Sequence, residues 1–388
     1  MIIQPSDKLE YIQEYYFSRK LREVRNMMAQ GKPVLNLGIG NPDQPPAPEV
    51  MAALQASALK PNNHGYQSYN GIPALRQGMA HWYQHMYEVS LNPETEILPL
   101  LGSKEGITHI HLAFLNPGDL VLVPNPGYPT YTSSARLAGA VPVFYDLDEN
   151  NGWAPDFSSV PEEVLQQAKL LWVNYPHMPT GAAGNEAFFQ EIIRVAKKYH
   201  LLVVNDNPYS MVLPEGRPVS ILQSKGAKEV AIELNSLSKS HNMAGARVGM
   251  VVGGEDYINA ILRVKSNVDS GMYLPIQEAA VAALQLPDSW HEARNAVYAS
   301  RRKFVWQIMD ALGCTYSRHQ VGMFIWARIP DRYSDVEAFT ELVLHEAYVF
   351  ITPGFIFGTR GERYVRISLC SPETVLQEAL ERIKRLSL

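Results

Sequence analysis

Cysteine is nearly missing from this chain: 388 residues contain two, Cys314 and Cys370. Two thiols are too few for a disulfide framework or a structural zinc site, so both are expected to sit reduced in or near a core, and no metal site is expected. A surplus of one charge is missing too, since 34 basic and 39 acidic side chains leave a net charge of -5. That balance offers no electrostatic case for nucleic acid or an anionic membrane, and no Lys/Arg run revises it. The opening MIIQPSDKLEYIQEYYFSRK lacks a basic flank, apolar core and small-residue cleavage site, so neither export nor membrane insertion is expected and the cytoplasm is the default. Internal repeats and low-complexity tracts are absent, which argues against a solenoid or a disordered array.

What is present suits a large domain with a smaller companion. Twenty tyrosines and 27 prolines suggest many defined turns and aromatic-lined clefts. The first 30 residues read as a helix from Leu9 to Ala29, followed by a short strand and the Gly/Pro loop GIGNPDQPP. Helices are expected over Pro48 to Leu59 and from Pro73. From Glu96 to about Arg263, apolar runs alternate with helical ones: ILPLL, LVLV, VPVFYD, KLLWVN, LLVVND and VAIEL. Strands apolar nearly throughout and separated by helices imply a mainly parallel sheet covered on both faces, an α/β architecture. Its ligand crevice should lie beyond the strands' carboxyl ends, where GSK, PGY, NYPHMPTG, NDNPY and SLSK follow. A long helix from Ser289 to Leu312 leads into MFIWARI, a helix over Val336 to Glu346, VFITPG, YVRISL and a helix over Pro372 to Arg385. The expected division is a large domain, 48–288, inserted between two parts of a small α+β domain, 1–47 plus 289–388.

The densest chemistry lies in ELNSLSKSHNMAGARVGMVV, Glu233 to Val252. A strand ending at Leu234 would deliver Ser236, Ser238 and Lys239, and a second strand would leave from Arg247. Alone, Lys239 would be a solvated amine. SxSK followed by MxGxRxG, however, closely resembles the lysine segment of the class I/II, fold-type I aminotransferases that use pyridoxal 5'-phosphate. The resemblance runs from GIGNPD to YVRIS. FSRKLREVRNMMAQGKPVLNLGIGNPD and GSKEGITHIHLAFLNPGD look particularly like the branch containing LL-diaminopimelate aminotransferase.

The resemblance implies an amino group moved between an amino acid and a 2-oxo acid, with Lys239 forming a Schiff base to the cofactor and then carrying the proton. It implies Asp206 as partner of the ring nitrogen, Tyr209 as donor to the phenolic oxygen and Tyr128 as the stacked aromatic. Gly102, Ser103 and Lys104 at a helix start, with Ser236 and Arg247, would hold the phosphate. Arg366 would clamp the substrate carboxylate, and Gly38, Ile39 and Gly40 would border the substrate. In Y-x4-G-x3-LR, Tyr66 would reach the cofactor phosphate of a partner subunit, so a homodimer with shared sites is expected.

One position departs from the pattern. Relatives carry NNPTG, whose second asparagine bonds the phenolic oxygen; this chain reads NYPHMPTG, with Met178 at that place and no donor on it. Asn174 or His177 are the candidate substitutes, and a retained cofactor with altered tuning is expected. The rival activities are a β-eliminating carbon-sulfur lyase and, of a different class, a cofactor-binding regulatory protein. No residue stands out for a second substrate carboxylate: Arg19, Lys20 and Arg22 all read as able to be solvated.

Overall fold

The computed structural model describes residues 3–11, 16–213 and 216–386. Twelve strands run through it: β1 (Leu35–Asn36), β2 (Ile97–Leu100), β3 (Leu120–Asn125), β4 (Val141–Asp146), β5 (Ala168–Val173), β6 (Leu202–Asp206), β7 (Ala231–Ser236), β8 (Gly249–Gly253), β9 (Phe324–Arg328), β10 (Val349–Phe350), β11 (Thr352–Pro353) and β12 (Tyr364–Ser368). Seven of them form the main sheet, in the order β2-β8-β7-β6-β5-β3-β4. The five from β7 to β4 are parallel, whereas β8 runs antiparallel to both β7 and β2. The sheet is therefore mixed at one edge.

Alternation within the apolar runs explains why they read as continuous. Val121, Val123, Leu170, Trp172, Val204 and Ile232 fill the core on one face, while Leu122, Leu171, Val173 and Val203 fill the core on the other. Successive strand residues point to opposite faces, so a strand covered on both sides must be apolar at every position. The helices Ser103–Phe114, Pro129–Leu137 and Glu255–Lys265 cover the first face through Ile107, Ile110, Ala135 and Ile261; Glu186–Tyr199 and Pro73–Tyr87 cover the second through Phe189, Ile192, Met79 and Trp82. Burying a side chain the size of Trp172 or Phe189 contributes roughly 1.5–3 kcal/mol or more before entropy is counted.

The chain ends meet beside this sheet. β1 pairs in parallel with β10, and a small antiparallel sheet follows the order β11-β12-β9. The 24-residue helix Asp288–Ala311 leads from the main sheet to β9 and buries Val305, Ile308 and Met309. Arg301 on it pairs with Asp43 at 2.6 Å, fastening the N-terminal loop to the late part of the chain.

Several boundaries differ from the sequence expectation. The first helix is a 3-10 turn, Asp7–Tyr11, and an α-helix, Tyr16–Ala29; residues 12–15 of the expected single helix lie outside the described residues. The strand expected to leave from Arg247 starts at Gly249, because Arg247 itself is left-handed at φ +57. Among the described residues no helix is long and apolar enough to cross a membrane.

Candidate active site

Strands β3, β5, β6 and β7 deliver Tyr128, Asn174, Asp206 and Ser236 to one cleft of about 300 Å³. Ser103, Lys104, Tyr131, Met178, Tyr209, Ser238, Lys239 and Arg247 also line it. Ser236 ends β7 and caps the one-turn helix Leu237–Ser240, its hydroxyl accepting from the Ser238 amide at 3.2 Å, which turns Lys239 out of the strand direction. Lys239 Nζ donates to the carbonyl of Gly40, so the loop of the N-terminal segment touches the amine. Burial lowers the Lys239 pKa; Cys370 opposes that fall, and the Arg366 and Arg247 cations add smaller lowering effects.

At the start of the Ser103–Phe114 helix, Gly102 holds φ +91, and a Cβ there would lie 2.1 Å from Arg247 Nη2. Arg247 thus lies across a backbone that only glycine can supply. Its Nη1 donates to Ser238 Oγ at 3.3 Å and to the Ala244 carbonyl at 3.0 Å. Free helix-start amides, hydroxyls and a guanidinium make a seat for an anion.

Asp206 ends β6 and is buried. Tyr131 donates to its Oδ2 at 2.8 Å, while Oδ1 is buried without a hydrogen-bond partner among the described residues. Burial pushes its pKa up to about 6, the Tyr131 bond opposing and the Glu233 charge adding to the rise. Tyr131 stacks on Trp172 at 4.7 Å, and the Trp172 indole donates to His111 at 2.7 Å, so the tyrosine that bonds the carboxylate is itself held. Sequence reading missed Tyr131. The available signal was its place three residues after Tyr128, within the first turn of the helix that Tyr128 caps.

Of the two proposed substitutes for the absent asparagine, Asn174 lines the cleft and His177 does not. Asn174 Nδ2 donates to the Asp206 carbonyl, and its Oδ1 accepts from the Met178 amide at 2.9 Å. His177 bonds Thr180 at 2.8 Å, is held near pKa 3 by burial, and does not line the cleft. Met178 Sδ instead meets Arg366 Nη1 at 3.2 Å, and Arg366 Nη2 donates to the Gly38 carbonyl at 3.0 Å. Gly38 and Gly40 are thereby joined to Arg366 and Lys239, and Ile39 between them stays 39% exposed. Gly40 also packs tightly, since a Cβ there would lie 2.3 Å from the Phe324 ring.

Tyr66 is 93% exposed and is not among the residues lining the cleft of its own chain. The N-terminal cations are not uniformly solvated. Lys20 is buried between Glu23 at 2.7 Å and Glu341 at 2.6 Å, and Arg19 lies over the Tyr16 ring. The Glu23, Glu341 and His345 group and the Glu105, His109 and Asp269 group each already hold a lysine, Lys20 in one and Lys265 in the other.

Residues 32–383 match the family model for aminotransferase class I and II. The chain belongs to that family. Among its relatives, an LL-diaminopimelate aminotransferase of Aquifex aeolicus is 41% identical over 384 residues, covering 99% of each chain. Among solved structures, substrate-bound BacF of Bacillus subtilis superposes with TM-score 0.94 at 37% identity, covering 99% of this chain and 98% of the other. An aminotransferase of Staphylococcus aureus superposes with TM-score 0.90 at 33% identity, covering 98% and 99%. This aminotransferase uses pyridoxal 5'-phosphate to exchange amino groups between amino acids and 2-oxo acids. Neither the lyase nor the regulatory alternative finds support in these relatives. The cleft fits the cofactor on its own evidence: a buried, unpartnered carboxylate oxygen on Asp206, an anion seat that a Cβ on Gly102 would fill, and a partly desolvated lysine amine in one cavity.

Proposed function

We propose that the Lys239 cleft is where the aminotransferase reaction takes place, and the observation that carries this is the buried Asp206 Oδ1 in the same cavity as Lys239 and Arg247. When bound, the cofactor supplies an aldehyde carbon for amines and a protonated ring that takes up electron density from the reacting carbon. Asp206 would hold a proton on the ring nitrogen, a cationic partner that would favour its own ionised form. Tyr131 positions Asp206. Tyr128 and Tyr209, with Asn174 and Met178, line the cleft where the ring would be held, Tyr128 as its aromatic cover and Tyr209 as a donor to its phenolic oxygen. The amides beyond Gly102, at Ser103 and Lys104, would hold the phosphate together with Ser236 and Arg247.

Lys239, its charged form disfavoured by burial, spends more time as a neutral amine than an exposed lysine and so serves as nucleophile and then as proton carrier. Arg366 takes the substrate's α-carboxylate, and the Gly38, Ile39 and Gly40 backbone closes over the substrate. The working unit is a homodimer in which the exposed Tyr66 completes the partner's phosphate seat. Each protomer divides into a large domain, 48–288, and a small domain, 1–47 plus 289–388; the pairing of β1 with β10 supports this division. A cytoplasmic setting goes with two free, buried cysteines, and substrates are small acids rather than nucleic acid or membrane.

The names of the relatives make LL-diaminopimelate the first donor to try. A panel of amino donors and 2-oxo acceptors, read for new 2-oxo acid and for pyruvate or ammonia release, is expected to give paired transfer. Ammonia release from every donor, without an amino product, would overturn the transfer reading.

A further inference from the structure

The Arg366 guanidinium lies between two phenyl rings, with Cζ 3.9 Å from the Phe324 centroid and 4.7 Å from that of Phe357. Phe324 opens β9 opposite Ser368 of β12, so the sheet that carries Arg366 also sets that ring. Phe357 is different. It closes the 3-10 turn Gly354–Phe357, outside any strand, and only 5% of it is exposed.

What fixes Phe357 is the other half of the molecule. Its carbonyl accepts from the Gly127 amide at 2.8 Å, one residue before Tyr128. Asn125, at the end of β3, donates to Thr359 at 2.9 Å and to Asp146 at 2.7 Å, and its Oδ1 accepts from the Arg360 amide at 3.2 Å. Arg360 pairs with Asp146 through both Nε and Nη2, at 2.8 and 2.7 Å. Gly358, at φ +129, lets the turn press this close, for a Cβ there would lie 2.2 Å from Asn125 Oδ1. The four residues after Ile356 are thus fastened to the same strand end that aims Tyr128.

We infer that Phe357 is a positioning residue for carboxylate recognition: its ring, held by the 357–360 fastening to Asn125 and Asp146, sets where the Arg366 guanidinium stands relative to the Tyr128 side of the cleft. The inference rests on the reading that Arg366 receives the substrate carboxylate. A guanidinium seated on two ring faces has those faces desolvated and its donors confined to one fixed plane, the geometry that a planar two-oxygen ligand requires. Fixing that plane from the cofactor's side of the cleft favours substrates whose carboxylate is attached to the reacting carbon over amines that place it farther away.

The test uses the holoenzyme and four variants, Phe357→Leu, Phe357→Tyr, Arg360→Ala and Arg366→Lys, with propanoate as a carboxylate probe that has no amine. Phe357→Leu keeps bulk but loses the ring face. It should raise the propanoate inhibition constant and the KM of the best donor about tenfold, the weight of one desolvated cation–π contact, with kcat within about threefold. Cofactor affinity and the thermal midpoint should stay near wild type, and Phe357→Tyr should restore propanoate binding. Arg360→Ala, a change at a half-exposed surface pair, should weaken propanoate in the same direction by a smaller factor. If Arg366→Lys leaves propanoate binding unchanged, the reading of Arg366 falls and this inference with it. If Arg366→Lys weakens propanoate but Phe357→Leu does not, this inference alone is overturned. Equal losses of propanoate and cofactor affinity in Phe357→Leu would also overturn it, as they would mark a general packing role.

Discussion

Asp206 is a residue whose preparation for a ligand costs the folded chain stability. Burial raises its folded pKa from an ordinary 3.8 to about 6, so the folded chain without cofactor resists ionising it. The sign follows from linkage. Below pH 4 both folded and unfolded chains carry the proton and the cost is absent; it grows as pH rises from 4 to 6 and is complete above that, at roughly 3 kcal/mol. Asp206→Asn keeps an acceptor for Tyr131 and removes the charge. The cofactor-free variant should therefore be more stable than the cofactor-free parent at pH 7 by up to about 3 kcal/mol, with no advantage near pH 4. Urea midpoints across that range check it, and the same variant should bind the cofactor more weakly. Met178 is the second residue-scale lever. Placing an amide donor there by Met178→Asn should stabilise the anionic phenolic oxygen and move the pH midpoint of the bound cofactor's absorbance downward. An unmoved midpoint would sink the idea that this position tunes the cofactor.

At the scale of elements, the strands were legible because being covered on both faces forces an unbroken apolar run, and KLLWVN or LLVVND has no other economical use. The direction of β8 was not legible. Hydrophobicity is the same whichever way a strand runs, and the reversal is set by the short connection through Leu237–Ser240 and the left-handed Arg247. Site residues at strand ends could be read because motif and strand end coincide. Tyr131, Phe324 and Phe357 escaped because each acts on another side chain, a relation that needs distances. Helix starts carry the next prediction. Gly102→Ala puts a methyl where Arg247 Nη2 lies and asks alanine to hold φ +91. The backbone conformation alone costs about 1–2 kcal/mol, and Arg247 must also leave the anion seat. Cofactor affinity, read by absorbance titration, should fall at least tenfold, and the affinity for pyridoxal without its phosphate should change much less.

The whole molecule is expected to work as two copies, and that can be tested without a structure of the pair. Lys239→Ala and Tyr66→Ala homodimers should each be impaired, one lacking the amine and the other a phosphate contact. After dissociation and mixing, half of the dimers are hybrids, and each hybrid has one site with both residues intact. Activity should recover to about a quarter of the parent's, given random pairing. If Tyr66 serves its own chain's site, mixing restores nothing.

The pairing of β1 with β10 also sets a timetable. Leu35 finds its partner Val349 only after 314 further residues have been made. At about 5–20 residues per second, the first strand waits roughly 15 to 60 s on the ribosome for the segment that completes its sheet. The main sheet, whose strands lie between Ile97 and Gly253, has its whole sequence available well before then. Synthesis therefore delivers the cofactor side of the cleft first and Arg366 last, so a nascent chain holds Lys239 before it holds the clamp for a substrate.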